Sequence, residues 1–176
     1  MCIRDRLYTK SPMLGHPSST AVASVYWRKQ YETPDVIAPD KDRCGVQWVC
    51  HEVPFRPEDV LKAVRAVEQA CLTHGFEPNI AMPLVSNRFV RLLFALMYDL
   101  ERESEDARAN QCIADITTRL NELGYTSFRH GIQTMKHLPK RNLENEILLQ
   151  DLKQLFDPNG IIAPGRYENG PDSVDR

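Results

Sequence analysis

The strongest constraint on the fold is a run of mostly apolar residues at positions 89–98, in the middle of the chain. Its length and its content of Val, Leu and Phe are typical of a β-strand, and so few polar residues indicate a central strand with both faces buried. Residues 79–85 predict a second strand, joined to the first by a turn at Ser86-Asn87. The chain must therefore fold around a sheet.

Two amphipathic helices are predicted on either side of this pair of strands. Residues 45–53 alternate between apolar and polar side chains, as a half-buried strand does. Pro57 and the two acidic residues after it begin the first helix. Ser104 begins the second helix and Gly124 ends it, after which residues 126–132 predict a last strand or an extended segment.

The order of these elements is β-α-β-β-α-β, which is the split βαβ arrangement. It predicts the α+β class: a ferredoxin-like antiparallel sheet with helices on one face, followed by a C-terminal helix and tail. Residues 21–27, which precede these elements, predict a short strand or an extended lead-in. Many unrelated functions share this arrangement, so the order of elements alone does not indicate what the protein does.

The amino-acid composition limits which kinds of partner the chain is expected to bind. The chain has 22 Lys+Arg and 24 Asp+Glu, so no charge excess would attract a nucleic acid or an anionic membrane. No apolar run is long enough to span a bilayer. The cysteines lack the paired spacing of a metal site, and we expect no bound metal; Cys71 and Cys112 are expected to be core thiols. No signal peptide is recognisable, and the expected location is the cytoplasm.

The C-terminal segment has a specific pattern. Residues 142–156 predict an amphipathic helix that ends before Pro158, because proline disfavours α geometry in the residue before it. Asn159-Gly160 then reverses the chain, and the two isoleucines that follow are expected to anchor the tail on an apolar surface. Gly165 has no Cβ, so its backbone can lie against a flat ligand, and Arg166 adds a permanent charge. The simplest alternative is a buried tail with a solvated arginine.

This helix, followed by Asp-Pro-Asn-Gly-Ile-Ile-Ala-Pro-Gly-Arg at 157–166, resembles the C-terminal signature of FAD-linked oxidases of the vanillyl-alcohol oxidase and 4-cresol dehydrogenase type. The resemblance implies that Arg166, with Gly165 beside it, lies at the pyrimidine edge of the flavin and stabilises negative charge on the reduced ring. It also implies FAD as the cofactor and a substrate (cap) domain of split βαβ order. In that family the FAD-binding domain precedes the cap, and no phosphate-binding glycine pattern is present here.

A second patch of similarity lies at residues 124–129. The alkylphenol-oxidising members of the family carry a Tyr-Arg pair there, and this chain has Phe128-Arg129. The resemblance implies that Arg129 orients the substrate or stabilises the reduced flavin, while Phe128 lines the pocket without a hydroxyl for a phenolate. The expected substrate is therefore aromatic, alkylphenol-like or benzylic, or a related alcohol or amine. From the residues alone, Arg129 fits a surface salt bridge and Phe128 fits core packing equally well.

The position at which some members of the family attach the flavin covalently falls on Val46, which cannot form such a bond. We therefore expect the flavin to be bound without a covalent link or linked from another part of the protein. His51, His130 and His137 have no fixed partners in the sequence, and we expect polar surface or loop residues there rather than catalytic bases.

We divide the chain into four parts. Residues 1–6 resemble the translation of a transposon-end sequencing adapter, the alternative being an ordinary flexible N-terminus. Residues 7–44 form a loop-rich lead-in, residues 45–135 the substrate (cap) domain, and residues 136–176 the C-terminal helix and flavin-contacting tail.

The sequence thus predicts the C-terminal part of an FAD-dependent oxidoreductase that transfers hydride from an aromatic or related alcohol to flavin. This part alone is expected to be inactive. Its expected partners are a small-molecule substrate, a missing N-terminal FAD-binding domain and, in a homo-oligomer, further copies of the chain. The alternative is a non-catalytic ferredoxin-like module that binds a ligand or a partner chain.

Overall fold

The computed structural model describes residues 20–131, 135 and 142–164 of the chain. Its strands are β1 (Cys44–Pro54), β2 (Ile80–Ala81), β3 (Phe89–Asp99) and β4 (Thr126–Ser127). Its helices are α1 (Thr20–Ala23), α2 (Pro57–His74), α3 (Glu105–Glu122) and α4 (Leu143–Phe156). The four strands form one antiparallel sheet in the order β2-β3-β1-β4, so the predicted α+β fold is confirmed.

Backbone hydrogen bonds set the register of the sheet. At one end of the β1–β3 pair, the amide of Phe55 donates to the carbonyl of Arg88 at 2.8 Å. At the other end, the amide of Leu100 donates to the carbonyl of Arg43 at 3.0 Å. The outer strands are short: β2 pairs with β3 through Ile80↔Phe94 and Ala81↔Leu93, and β4 pairs with β1 through His51↔Ser127 and Glu52↔Thr126.

The chain divides into two compact units, and β1, β3 and α3 each run through both. Among the described residues, the larger unit comprises residues 48–95 and those from 111 to 164. Its core is formed by one face of the strands and the apolar stripes of α2 and the second half of α3. The core residues include Val49, Val53, Val67, Cys71, Leu92, Phe94, Cys112, Ile116 and Leu120. Each fully buried Leu, Val or Phe contributes roughly 1.5–3 kcal/mol, and Cys71 and Cys112 are core thiols as expected.

Local sequence explains where the two long helices begin and end. Pro57 occupies the first turn of α2, where its missing amide costs no hydrogen bond, and two acidic residues favour the positive end of the helix dipole. Gly75 ends α2 with a φ of 70°, and Gly124 follows α3 with a φ of 80°. Both values lie in the left-handed region, which residues with a Cβ rarely adopt.

The smaller unit comprises the described residues 20–47 together with 96–110, and charged groups stabilise it. The ammonium group of Lys29 is buried and lies 2.6 Å from the Asp99 carboxylate and 3.0 Å from that of Glu101. The guanidinium of Arg28 lies 2.7 Å from the buried carboxylate of Glu105, which in turn accepts the amide of Asp99 at 2.6 Å. These contacts hold the end of β3 against the start of α3.

Four sequence-based expectations require correction. Residues 21–27 do not form a strand: α1 and a 3₁₀ turn at Ser24–Tyr26 occupy this region, and the Tyr26 hydroxyl is held by Asp42. The strand expected at 79–85 is limited to β2, although Leu84 adds an isolated bridge to Val90. Within the described residues 126–131, the strand alternative is limited to β4. The central strand β3 is fully buried only on the face that contacts the helices; most side chains on its other face are half-buried. No helix among the described residues is long and apolar enough to cross a membrane.

Candidate functional site

The candidate site lies on the face of the sheet that the helices leave open. Successive side chains of a strand point to opposite faces, so Trp48, Cys50 and Glu52 lie on the face opposite to Val49, His51 and Val53. Trp48 is 54% exposed, which is unusual for so large an aromatic side chain. Arg91 of β3 extends onto the same open face, where its guanidinium approaches the Glu52 carboxylate. This face therefore combines an exposed aromatic ring with charged groups.

Phe128 is placed on this face by the end of β4. Its amide donates to the carbonyl of Cys50 at 3.3 Å, which continues the pairing with β1 by one residue. The ring is 39% exposed, so Phe128 does not belong to the core, contrary to one of the two interpretations of the sequence. The guanidinium carbon of Arg91 lies 4.3 Å from the centre of the ring, within the range of a cation–π interaction.

Arg129 follows directly and is also exposed. The Ser127 hydroxyl lies 2.7 Å from the carbonyl oxygens of both Cys50 and Arg129, and this contact fixes the backbone at the end of β4. The salt bridge considered for Arg129 is not found among the ion pairs of the described residues. Its charge is thus held at the edge of the open face without a carboxylate partner in that part of the chain.

The thiol of Cys50 reports the electrostatics of this region. Burial raises the pKa of the Cys50 thiol, and the charges of Arg129 and then Arg91 oppose that rise. Both guanidinium groups therefore act on the same point of the sheet. The sequence interpretation included Arg129 but missed Arg91, although a charged side chain inside an otherwise apolar strand was an available signal.

His51 and His130 are both buried at this edge of the sheet. The expectation of a polar surface or loop residue is wrong for His51, which lies within β1. His130 lies in the loop after β4, as expected, although its side chain is buried. Both histidines line a small cavity with Cys50, Thr117, Ser127 and Arg129, among others. His51 is 1% exposed, and its Nε2 lies 3.4 Å from the Asn121 side-chain oxygen. Burial lowers the pKa of His51 to about 4, so the ring is neutral at physiological pH. His137, the third histidine considered, lies outside the described residues.

The C-terminal segment is ordered by one carboxylate. Asp157 follows α4 and accepts the amides of Ile161 and Ile162, each at 2.8 Å, and the ammonium group of Lys153 at 2.7 Å. The hydrogen bond from Lys153 is the main cause of the lowered pKa of Asp157. Gly160 adopts a φ of 61°, so the predicted reversal at Asn159-Gly160 is present. The sequence interpretation missed the role of Asp157, whose position directly after a helix was the available signal.

The two isoleucines do not contact an apolar surface within the described residues. Ile161 is 74% exposed and Ile162 is 64% exposed, so this expectation is corrected for the part of the chain that the structure describes. The helix before them has no buried residue either. Gly165 and Arg166, the other two residues implicated in cofactor binding, lie outside the described residues. Within residues 20–131, 135 and 142–164, no cluster of three or more potential ligand side chains forms a metal site.

Residues 41–167 match the protein family described as FAD linked oxidases, C-terminal domain. The chain is 40% identical over 163 residues to the 1'-carboxy-chondrochloren decarboxylase of Chondromyces crocatus, covering 93% of this chain and 30% of that protein. It is 24% identical over 128 residues to the 4-cresol dehydrogenase [hydroxylating] flavoprotein subunit of Pseudomonas putida, covering 69% of this chain and 23% of the relative. The chain thus spans less than a third of either curated relative.

Two solved structures share the fold. A 4-ethylphenol oxidase from Gulosibacter chungangensis, in complex with isoeugenol, superposes with a TM-score of 0.76 at 16% identity, covering 96% of this chain and 30% of that chain. A p-cresol methylhydroxylase with substrate bound gives a TM-score of 0.63 at 21% identity, covering 70% of this chain and 24% of that chain. At these identities the two structures establish only a shared fold.

Proposed function

This chain belongs to the FAD-linked oxidases, as their C-terminal domain, and we propose that it forms the substrate-binding side of an enzyme that oxidises an aromatic alcohol or a related compound. FAD is the cofactor of this family. In the proposed enzyme, a further domain that precedes this chain binds the nucleotide part of FAD, and the open face of the sheet contacts the flavin ring and the substrate.

The residues on the open face are suited to contact the flavin ring of FAD, but not its diphosphate. The exposed rings of Trp48 and Phe128 offer flat apolar surfaces, and Arg129 offers a donor for an anionic oxygen. The sequence contains no glycine-rich loop that would bind the diphosphate. FAD, when bound, accepts a hydride equivalent from the substrate carbon and passes the electrons to an acceptor. In this proposal the flavin is held without a covalent bond to Val46.

Each proposed site residue has a distinct task. Arg129 binds and orients an anionic or hydrogen-bonding oxygen of the substrate, because its guanidinium is exposed and has no carboxylate partner in the described part of the chain. Phe128 packs against the aromatic ring of the substrate and excludes water from that side. Arg166, with Gly165 beside it, stabilises negative charge on the reduced flavin.

The observation that carries the proposal is the position of Phe128 and Arg129, adjacent in sequence, at the edge of the helix-free face in a domain of this family. Phenylalanine lacks a hydroxyl to bind a phenolate, so the proposed substrates are benzylic and related alcohols. The name of the decarboxylase relative indicates that its substrate carries a carboxyl group. We therefore extend the proposed substrate class to aromatic alcohols that carry a carboxylate.

The experiment that tests the proposal uses the full-length protein encoded by the gene that contains this sequence. The DNA upstream is expected to encode an FAD-binding domain in the same reading frame, whereas a stop codon and a promoter there would favour the alternative of a stand-alone binding module. With the purified flavoprotein, 4-methoxybenzyl alcohol and other benzylic alcohols without a phenol group are expected to bleach the flavin absorbance under anaerobic conditions.

Arg129→Ala is expected to lower the second-order rate constant of flavin reduction about 10- to 100-fold, the effect of losing one charge-assisted hydrogen bond. Arg65→Ala, which removes an exposed arginine of α2, is the matched control and is expected to have no effect. Flavin reduction by Arg129→Ala at the unaltered rate would remove Arg129 from the site.

A further inference from the structure

Arg91, on the open face, has a donor atom that is not satisfied within the described part of the chain. Its side chain is 39% exposed, but the Nε atom is buried and has no hydrogen-bond partner among the described residues. The nearest carboxylate oxygen, Oε1 of Glu52, lies 3.8 Å from Nε, which is too long for a hydrogen bond. A buried N–H group without an acceptor is rare in folded proteins. Arg91 thus presents an N–H donor that this part of the chain leaves unused.

Its guanidinium is nevertheless held in place. The guanidinium carbon lies 4.3 Å from the centre of the Phe128 ring, so the planar group is supported by an aromatic side chain rather than extended into solvent. The backbone of Phe128 is fixed in turn by its hydrogen bond to Cys50. A preorganised guanidinium binds an anion without losing much side-chain freedom, which favours a specific site over a loose surface charge.

The surrounding charges favour an anion. The positive charges of Arg91 and Arg129 both act on the Cys50 thiol. The carboxylate of Glu52 approaches Arg91 on this face. The guanidinium of Arg91 on the face and that of Arg129 at its edge outnumber the one half-exposed carboxylate, so the charge around Cys50 is positive. A carboxylate matches the fork of a guanidinium group and can accept two parallel N–H donors.

We propose that Arg91 is a second substrate-binding residue, which together with Arg129 holds a carboxylate group of the substrate above the Phe128 ring. This inference rests on the proposed function, because it places the carboxylate on the face that contacts the flavin. Arg91 selects acids over their neutral analogues, and Glu52 weakens that selection by competing for the same guanidinium. Arg91 is a specificity-determining residue in this assignment.

The test compares an acid with its neutral analogue in the full-length flavoprotein. The probes are mandelate and its methyl ester, whose dissociation constants are measured from the perturbation of the flavin absorbance and by calorimetry. The unaltered enzyme is expected to bind the acid at least about tenfold more tightly than the ester, the effect of one charge-assisted hydrogen bond. Arg91→Met is expected to remove this preference by weakening acid binding about 10- to 100-fold, with less than about a twofold change for the ester.

Two further variants keep the test decisive if Arg91→Met does not fold. Glu52→Gln removes the competing carboxylate and is expected to tighten binding of the acid but not of the ester. Arg65→Met is the control for loss of a surface charge and is expected to leave both dissociation constants unchanged. Equal effects of Arg91→Met on acid and ester, no effect of Glu52→Gln on the acid, or no saturable binding of the acid to the unaltered enzyme would overturn the proposal.

The outcome is separable from that of the proposed function. If benzylic alcohols reduce the flavin but the acid–ester preference does not depend on Arg91, the inference fails and the oxidoreductase stands. If no alcohol or acid reduces the flavin while the acid binds through Arg91, the proposed reaction fails and the anion site stands.

Discussion

His51 illustrates, at the scale of a residue, how burial changes the chemistry of a side chain. It lies on β1 with its ring on the helix-covered face, and desolvation lowers its pKa from 6.5 to about 4. In the unfolded chain the same ring has its ordinary pKa and binds a proton at a higher pH. The unfolded state therefore binds more protons than the folded state between about pH 6.5 and about 4, and stability falls as the pH falls through this window.

We expect His51 to cost the chain about 2 kcal/mol of unfolding free energy between pH 7 and pH 5, because each unit of pKa difference corresponds to about 1.4 kcal/mol. His51→Gln, which cannot be protonated, is expected to remove this part of the pH dependence. The measurement is urea unfolding at several pH values. An unchanged slope in His51→Gln would contradict the assignment.

Gly45 is a second position at which one atom decides packing. A Cβ added there would lie 2.4 Å from two atoms of the Tyr98 ring, far inside contact distance. The ring cannot easily move, because it is buried and its hydroxyl contacts the Gln47 side-chain nitrogen at 3.2 Å. Gly45→Ala is therefore expected to destabilise the chain by about 1–3 kcal/mol, the usual cost of overpacking.

A double-mutant cycle separates this clash from other effects of alanine. In a Tyr98→Leu background the ring is absent, and Gly45→Ala is expected to cost much less than in the unaltered chain. The measurement is the midpoint of urea unfolding for the four proteins. Equal costs of Gly45→Ala in both backgrounds would show that Tyr98 is not the cause.

At the scale of elements, the helix α4 differs from α2 and α3. It has no buried residue, although it carries Leu143, Ile147, Leu148, Leu149, Leu152, Leu155 and Phe156. A helix of this length that buries no side chain is marginally stable in water, even with the Asn142 side chain capping its first turn at 2.8 Å. In the isolated 176-residue chain we expect the amides of α4 to exchange with solvent at least about 100-fold faster than those of α2.

Hydrogen exchange followed by mass spectrometry measures this difference directly. Asn142→Ala is expected to speed exchange in α4 further, because it removes the capping acceptor, without any change in α2. Equal protection of α4 and α2 in the isolated chain would contradict the expectation.

The elements also show which parts of the fold are readable from sequence. β1, β3, α2 and α3 follow hydrophobic periodicity closely, because each buries one continuous face or stripe. At residues 21–27 the prediction from residue propensities is wrong. Valine and tyrosine favour strands, but this segment forms helical turns. The Tyr26 hydroxyl donates a hydrogen bond to Asp42, 16 residues away. A contact between distant residues has no local signal.

The candidate site is less readable from its own residues. Phe128 and Arg129 were identified through a resemblance to a family, and periodicity alone fitted core packing or a salt bridge equally well. The position of Arg91 over Phe128 depends on the register of β1 between its two neighbours, which a single sequence does not encode locally. The burial of His51 depends on the same register.

At the scale of the whole molecule, this chain has an exposed sheet face and a helix without buried residues, and its two curated relatives are more than three times as long as the part that they match. In the proposed enzyme the other domain covers the sheet face with the flavin between them. The isolated 176-residue chain is accordingly expected to show no saturable binding of FAD at micromolar concentrations. Fluorescence titration with FAD, with riboflavin as the ring-only comparison, measures this.

The most direct test of the central claim is an experimental structure of the full-length protein with FAD bound. We predict that the isoalloxazine ring lies against the helix-free face, with Phe128 and Arg129 beside the space between the ring and the sheet. A structure in which that face is open to solvent, or is covered by another part of the protein while FAD binds elsewhere, would contradict the claim.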